Sequence, residues 1–204
     1  MAHYKKRWKK YMEKRIGIFI SGSTNPNISK EYHQAAIEFG KMLDIKKHNI
    51  IFDGCDGLPG LVASQFPKFN DNLEIAYTSN RFIYTDKWPL ARRNGTFRYQ
   101  SEVTKTLLDW CDVAVFFKGG SGTLAELFHA IDTKKNKEHS KPIIILNIAH
   151  QWDDLLNILE PLNLSHLYNV IDTPQKVIEY IENNIKIASF SQIVYNPLDY
   201  DYDR

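Results

Sequence analysis

The chain of 204 residues lacks several features that mark secreted, membrane-spanning or zinc-binding proteins. It has only two cysteines, Cys55 and Cys111, whose spacing fits neither a CxxC pair nor a zinc site. We interpret both as free thiols in a reducing compartment. No apolar run approaches the roughly 20 residues that cross a bilayer, and the basic N-terminus has no secretory apolar stretch. These absences predict a cytoplasmic protein that does not insert into membranes.

Familiar catalytic motifs are also missing. The sequence contains no Gly-Lys-Ser/Thr, which excludes a Walker A loop, and no G-x-S-x-G nucleophile turn. Its seven histidines form neither H-x-x-x-H nor HExxH, so we predict no metal. No lysine has a recognisable setting for pyridoxal phosphate, and we expect no cofactor.

Positive charge is concentrated at the N-terminus. Residues 1–15 contain seven Lys or Arg and one acid, a local charge of +6 in a chain of +2, so the rest carries −4. Aromatic residues at helical spacing predict a basic amphipathic leader over 1–15. It either packs on the body or attaches to a nucleic acid or membrane. Because the body is not basic, we expect no nucleic acid to bind across its surface.

The body alternates short apolar runs with helical patterns. Strands are predicted at Ile16–Ser21, 50–53, Leu73–Thr78, 81–85, 112–117, 142–146 and 167–171, and helices at 29–43, 58–66, 97–110, 121–134, 151–159 and Pro174–Asn184. Strands that are apolar throughout are buried on both faces, and their alternation with helices predicts βαβ units. We predict an α/β fold, a Rossmann-like three-layer αβα domain with a mainly parallel central sheet over 16–189, and a tail at 190–204.

The turn Gly119-Gly120-Ser121-Gly122-Thr123 is the strongest candidate site. It follows an apolar strand and opens a helix, so bare main chain and unpaired N–H groups can hold an anion. Lys118 could add a positive charge. Thr123 and Glu126 also match the T-x-x-E capping box, in which Glu126 caps its own helix. The local pattern leaves an anion site and a simple cap both open.

Two other turns fall at predicted strand ends. Gly22 and Ser23 follow the first strand, and Gly54 and Gly57 follow the second. Carboxyl ends of parallel strands share one sheet edge, so we include these four residues in the candidate anion-binding site. A dinucleotide fingerprint at 120–125 is loose, because it does not follow the first strand and lacks the acid about 20 residues later.

Basic residues precede the 112–117 strand. Arg98, Glu102, Lys105 and Asp109 are spaced to share one helix face, where they could form a solvated, salt-bridged surface or supply a functional cation. The pair Arg92-Arg93 is expected on a loop beside Asn94-Gly95, where functional arginines are common.

Three segments in this order resemble the LOG ("lonely guy") family of phosphoribohydrolases, whose members often carry the label lysine decarboxylase. They are 17–23, reading GIFISGS, 52–60, reading FDGCDGLPG, and 119–126, reading GGSGTLAE. The resemblance covers about residues 16–185, and its most specific part is 113–128, similar to the family's strand followed by P-G-G-x-G-T-x-x-E.

The resemblance implies a Rossmann-like homodimer that releases the base from a nucleoside 5′-monophosphate, such as a cytokinin riboside monophosphate or an AMP-like nucleotide. It implies that Gly119, Gly120, Gly122 and Thr123, with Ser121 between them, hold the phosphate. Glu126 would then face the ribose and assist cleavage of the N-glycosidic bond.

The sequence departs from the family pattern at three places, and these departures bear more on catalysis than on binding. Lys118 replaces the family proline, and Asp53-Gly54-Cys55 replaces consecutive glycines. The family's Arg-Lys pair would fall on Val103-Thr104. Arg98 or Lys105 could supply the missing cation from a neighbouring turn, and Arg98 is our candidate. The alternatives are therefore an N-ribosidase, a nucleotide-binding sensor or cofactor carrier without turnover, and a nucleic-acid-associated protein.

Overall fold

The computed structural model describes residues 15–66, 72–78, 88 and 93–186. The strands are β1 (Ile16–Ser21), β2 (His48–Phe52), β3 (Leu73–Thr78), β4 (Arg93–Phe97), β5 (Val113–Phe116), β6 (Ile143–Leu146) and β7 (Asn169–Ile171). The helices are α1 (Lys30–Met42), α2 (Leu58–Ala63), α3 (Gln100–Trp110), α4 (Ser121–Lys135), α5 (Asp153–Leu159) and α6 (Pro174–Asn184).

The described strands form one sheet in the order β4-β3-β2-β1-β5-β6-β7, and each neighbouring pair is parallel. Parallel neighbours need crossover connections, which most of the helices provide. The predicted α/β, Rossmann-like fold is confirmed, and the sheet is more regular than the mainly parallel arrangement that the sequence suggested.

Side chains of the central strands alternate between two apolar layers. In β1, Ile18 and Ile20 are buried on the side that also holds Phe39 of α1. Phe19, between them, is buried on the opposite side with Leu107 of α3 and Leu127 of α4. A strand directs successive side chains to opposite faces, so these strands are apolar throughout because helices cover both faces.

The strand order reverses between β1 and β5. Chain connections leave these neighbouring strands toward opposite edges of the sheet, which opens a crevice above their carboxyl ends. Ligands of open α/β sheets bind at such a point. The turns that follow β1 and β5 are two of the three that the sequence singled out.

The region before α3 differs from the prediction. Residues 93–97, which include the expected Asn94-Gly95 loop and the start of the expected helix 97–110, form strand β4. Asn and Gly disfavour strands locally, but five paired positions along β3 override that preference. Gly95 also makes room for Phe97, because a Cβ at Gly95 would lie 2.6 Å from its ring.

Other predictions have shifted bounds or lie outside the described residues. Pro174–Asn184, Ile16–Ser21 and Leu73–Thr78 have the expected limits, and the remaining elements differ by a few residues at their ends. The basic leader before Arg15, the strand at 81–85, Arg92 and the tail at 190–204 lie outside the described residues. Among the described helices, none combines the length and apolar character needed to cross a membrane.

Candidate functional site

A cavity of about 480 Å³ opens at the reversal point of the sheet. Its wall comes from the turn after β1, the residue after β2, one side of α3 and the beginning of α4. The lining residues are Gly22, Ser23, Thr24, Asn25, Asp53, Gln100, Ser101, Thr104, Gly120, Ser121, Gly122, Thr123, Ala125, Glu126 and His129. Residues from distant parts of the sequence therefore meet at one sheet edge.

The glycine-rich turn presents main chain to this cavity. Gly120 is the N-cap of α4, and the N–H of Leu124 donates to the Gly120 carbonyl at 3.0 Å. The N–H groups of residues 121–123 lie before this first helical hydrogen bond, so they have no acceptor within the helix. Cβ atoms added at Gly120 or Gly122 would meet no atom within 4 Å. The helix end is therefore open to an anion, which the helix dipole also favours.

Gly119 has a different role from its neighbours. It does not line the cavity, and a Cβ at this position would lie 2.0 Å from Oγ1 of Thr123 and 2.3 Å from its Cβ. Thr123 is only 5% exposed and packs back over Gly119. Gly119 thus lets the first turn of α4 fold over the strand end, and the neighbouring residues face the open space.

One stripe of α4 supplies most of the chemistry of the wall. Gly122, Ala125, Glu126 and His129 all line the cavity, and their spacing of three, one and three residues places them on one helix face. The two small residues leave space beside the two functional ones. Passing from Gly122 to His129, the wall changes from bare main chain to carboxylate and then to imidazole.

Glu126 does not cap its own helix. Because α4 begins at Ser121, Thr123 is its third residue and Glu126 its sixth, so the capping box that the motif suggested is absent. Instead, the buried hydroxyl of Ser21 at the end of β1 donates to Oε2 of Glu126 at 2.5 Å. This bond fixes the carboxylate at the junction of the two strands on either side of the reversal point.

The wall formed by α3 is polar but uncharged. Gln100, Ser101 and Thr104 line the cavity from this helix, and Oγ1 of Thr104 donates to the Gln100 carbonyl at 3.1 Å. Thr104 belongs to the Val103-Thr104 position where the resemblance would place an Arg-Lys pair. Among the residues that the structure describes, the cavity wall contains two carboxylates and no lysine or arginine.

The basic residues proposed from the sequence lie outside the cavity, as far as the structure describes them. Arg98 precedes α3 rather than sharing its face, and its guanidinium lies 5.2 Å from the centre of the Tyr99 ring. Lys105 pairs with Asp109 at 2.5 Å on the exposed side of α3. Nζ of Lys118 lies 5.6 Å from the Trp152 ring. None of the three lysine or arginine side chains lines the cavity.

Gly54 and Gly57 also fail to line the cavity. Gly57 has a φ of +88°, and a Cβ there would lie 2.2 Å from the Ser23 carbonyl oxygen. The N–H of Leu58 donates to that same oxygen at 2.9 Å. The carbonyl of Gly54 accepts from the Trp88 indole at 3.1 Å. Gly57 therefore seats the second turn against the first, and Gly54 binds Trp88 instead of lining the cavity.

Three groups on the wall were not identified from the sequence. Asp53 is the first residue after β2, and His129 lies three residues after Glu126 on the same helix face. The polar residues of α3 are spaced for one face of that helix. The sequence contained a signal for each group, either an acid at a strand end or polar residues at helical spacing. That these groups meet in one cavity depends on the strand order, which the sequence did not show. No three metal-binding side chains group together in the described part of the chain.

Comparisons with known proteins identify the proteins that this chain resembles. A family profile described as "possible lysine decarboxylase" matches residues 94–187, which include α3, the glycine-rich turn and α4. A probable cytokinin riboside 5′-monophosphate phosphoribohydrolase of Oryza sativa subsp. japonica is 25% identical over 83% of this chain and 70% of its own. The corresponding phosphoribohydrolase of Arabidopsis thaliana is 25% identical over 86% of this chain and 88% of its own.

Solved structures share the fold at lower sequence identity. The molybdenum cofactor carrier protein of Chlamydomonas reinhardtii aligns with a TM-score of 0.60 at 14% identity, covering 83% of this chain and 97% of its own. DNA processing protein A of Helicobacter pylori aligns with a TM-score of 0.61 at 14% identity, covering 87% and 85%. The curated relatives and the family profile together confirm the resemblance of this chain to the LOG family.

Proposed function

We propose that the protein hydrolyses the N-glycosidic bond of a nucleoside 5′-monophosphate, releasing the free base and ribose 5-phosphate. The phosphate would bind the N–H groups at the start of α4, and the ribose would lie beside Glu126. The similarity to cytokinin riboside 5′-monophosphate phosphoribohydrolases supports this substrate class, in which a cytokinin riboside monophosphate or an AMP-like nucleotide is the first candidate.

The position of Glu126 is the observation that carries this proposal. It lies on the cavity wall one turn beyond the open N–H groups of α4, and Ser21 holds its Oε2. In a nucleoside 5′-monophosphate, the glycosidic carbon is separated from the phosphate by the sugar ring. An anion at residues 121–123 would therefore direct that carbon toward the next turn of the helix, where Glu126 lies.

The arrangement suits a reaction that passes through a positively charged sugar. Glycosidic cleavage proceeds through an oxocarbenium-like transition state, which a nearby carboxylate stabilises. Glu126 would stabilise this charge and accept a proton from the attacking water. Electrostatic stabilisation and fixed orientation supply the largest contributions in such sites. A hydrogen bond from Ser21 keeps the carboxylate from turning back toward its own helix.

The experiment is to incubate the purified chain with AMP and a panel of other monophosphates and to measure free base by chromatography. Glu126→Gln keeps the size of the side chain but removes its charge, and should lower base release by about 10²-fold or more. Glu179→Gln, an exposed change on α6, is the matched control and should be as active as the unaltered protein. Base release that survives Glu126→Gln would exclude Glu126 from the mechanism.

A non-catalytic nucleotide or cofactor carrier is the second candidate. The observation that favours it is the uncharged α3 wall, which leaves the described part of the cavity without a lysine or arginine side chain. A molybdenum cofactor carrier shares the fold, which is an analogy at the level of the fold only. It predicts thermal stabilisation by a nucleotide, about 2.7 kcal/mol at 100 times Kd, without base release from any monophosphate.

The predicted homodimer and the predicted cytoplasmic location remain proposals. Light scattering on the purified chain tests the first, since a dimer would have twice the mass of 23.8 kDa. Nucleic-acid association through residues 1–15 stays a weaker alternative, and loss of salt-dependent DNA binding on deletion of those residues would support it.

A further inference from the structure

Glycosidic hydrolysis in this cavity requires a proton for the departing base, and Glu126 does not supply it while it activates water. The other groups on the described wall are Asp53, neutral amides, hydroxyls and His129. Imidazole is the side chain whose charge ordinarily changes between about pH 5 and 8. Among the described wall residues, His129 is therefore the one that can donate a proton as an imidazolium.

The order of groups along α4 places His129 where the base would lie. An α-helix rises about 1.5 Å per residue, so Glu126 and then His129 lie about 4.5 Å and 9 Å beyond Thr123 along the axis. Phosphate, ribose and base follow one another in the same order in a nucleoside 5′-monophosphate. With its phosphate at residues 121–123 and its sugar at Glu126, the base reaches the turn that contains His129.

His129 also borders a second cavity, of about 70 Å³, on its other side. One water molecule requires about 10–15 Å³, so this space accommodates several. The charged or titratable groups around it are Lys105 and Asp109 of α3 and, after α4, Glu138, His139 and Lys141. Water in this second cavity would let His129 recover a proton after each turnover without passing through the substrate site.

We propose that His129 is the general acid of the reaction, donating a proton to the leaving base. This inference rests on the proposed hydrolysis. The bond between C1′ and the base nitrogen breaks, its electron pair passes to the base, and the imidazolium proton is transferred there. Water adds its hydroxyl to C1′ and its proton to Glu126. That proton returns to His129 through solvent, which restores both groups.

The test compares leaving groups that differ in their need for a proton. His129→Gln should lower kcat for AMP by about 10²-fold or more. It should lower kcat much less for 4-nitrophenyl ribose 5-phosphate, because 4-nitrophenolate departs as a stable anion and needs no proton. Nucleotide binding measured by calorimetry should change little. The control is His166→Gln, an exposed change outside both cavities, which should affect neither substrate.

Each result supports or overturns the proposal. Equal losses with the two substrates would show that His129 does not donate the proton. A defect in His129→Gln that is confined to AMP supports the role. Circular dichroism distinguishes a folding defect from a loss of catalysis. If the glutamine variant unfolds, His129→Asn provides a second variant. Failure of the unaltered chain to release base from any monophosphate would instead overturn the proposed function itself.

Discussion

Ser21 and Glu126 are 105 residues apart in the sequence and are joined by a hydrogen bond of 2.5 Å between Oγ and Oε2. The bond links the end of β1 to the second turn of α4 across the reversal point of the sheet. It explains why a glutamate in a T-x-x-E pattern faces the cavity instead of its own helix end. A buried hydroxyl thereby orients the carboxylate on which the proposed reaction depends.

Ser21→Ala should weaken both the fold and the proposed activity. Loss of a hydrogen bond to a charged group costs about 1.5–3 kcal/mol, and Glu126 loses the contact that orients it. We expect a lower free energy of unfolding in urea and a lower kcat. The control is Ser64→Ala, which removes an exposed hydroxyl bonded to the Leu61 carbonyl. If Ser21→Ala keeps full activity, the orientation of Glu126 does not depend on this bond.

Gly119→Ala and Gly122→Ala should have opposite effects on stability. The Cβ at 119 would collide with Thr123, whereas the Cβ at 122 would meet nothing within 4 Å. Overpacking should cost about 1–3 kcal/mol at 119, and alanine should add up to about 1 kcal/mol in the helix at 122. Thermal melting of both variants measures the difference.

Gly122→Ala should nevertheless weaken nucleotide binding, because its methyl group would enter the cavity beside the N–H groups of α4. Calorimetric titration with AMP checks this expectation against Ser64→Ala, an exposed change outside the cavity. A Gly122→Ala variant that is more stable and binds AMP unchanged would argue against an anion at this turn.

His48 should make the protein less stable in mild acid. Burial lowers the pKa of this side chain in the folded state, and its Nδ1 accepts the Asp44 N–H at 3.0 Å. The unfolded chain then binds the proton more readily. Stability is therefore fully present above the unfolded pKa of about 6.5 and is lost as the pH falls below it.

Urea unfolding at several pH values between 5 and 8 measures this effect. His48→Gln should flatten the dependence, with a remainder from His139, whose pKa burial also lowers. His166→Gln, an exposed change, should leave the slope as it is. An unchanged slope in His48→Gln would show that the buried imidazole does not control the acid sensitivity.

Both thiols should be unreactive in the folded protein. Cys55 and Cys111 form no disulfide in the described structure, and both are buried, each 2% exposed. Burial raises the pKa of Cys111 to about 12, and the thiolate is the reactive form. Labelling with a disulfide reagent at pH 7.5 should therefore proceed only after unfolding, with two thiols modified in urea. Rapid labelling of the native protein would contradict this expectation and show that the structure around one of the two thiols opens readily.

Local patterns were enough to predict the layers of the fold. The apolar strands Ile16–Ser21 and Leu73–Thr78 and the proline at the start of α6 are signals contained in a few adjacent residues. The glycine-rich turn was identified for the same reason, because glycine followed by a helix has a local physical meaning. The strand at Arg93–Phe97 was missed because its pairing with β3 outweighs the turn signal of Asn94-Gly95.

The sequence by itself determined the alternation of strands and helices, the open main chain at the start of α4 and the presence of a glutamate one turn further on. Only the tertiary structure decided that Ser21, Asp53 and His129 join that turn and that Arg98 and Lys118 do not. The reason is that strand order sets which turns become neighbours, and long-range packing, not sequence spacing, sets the strand order.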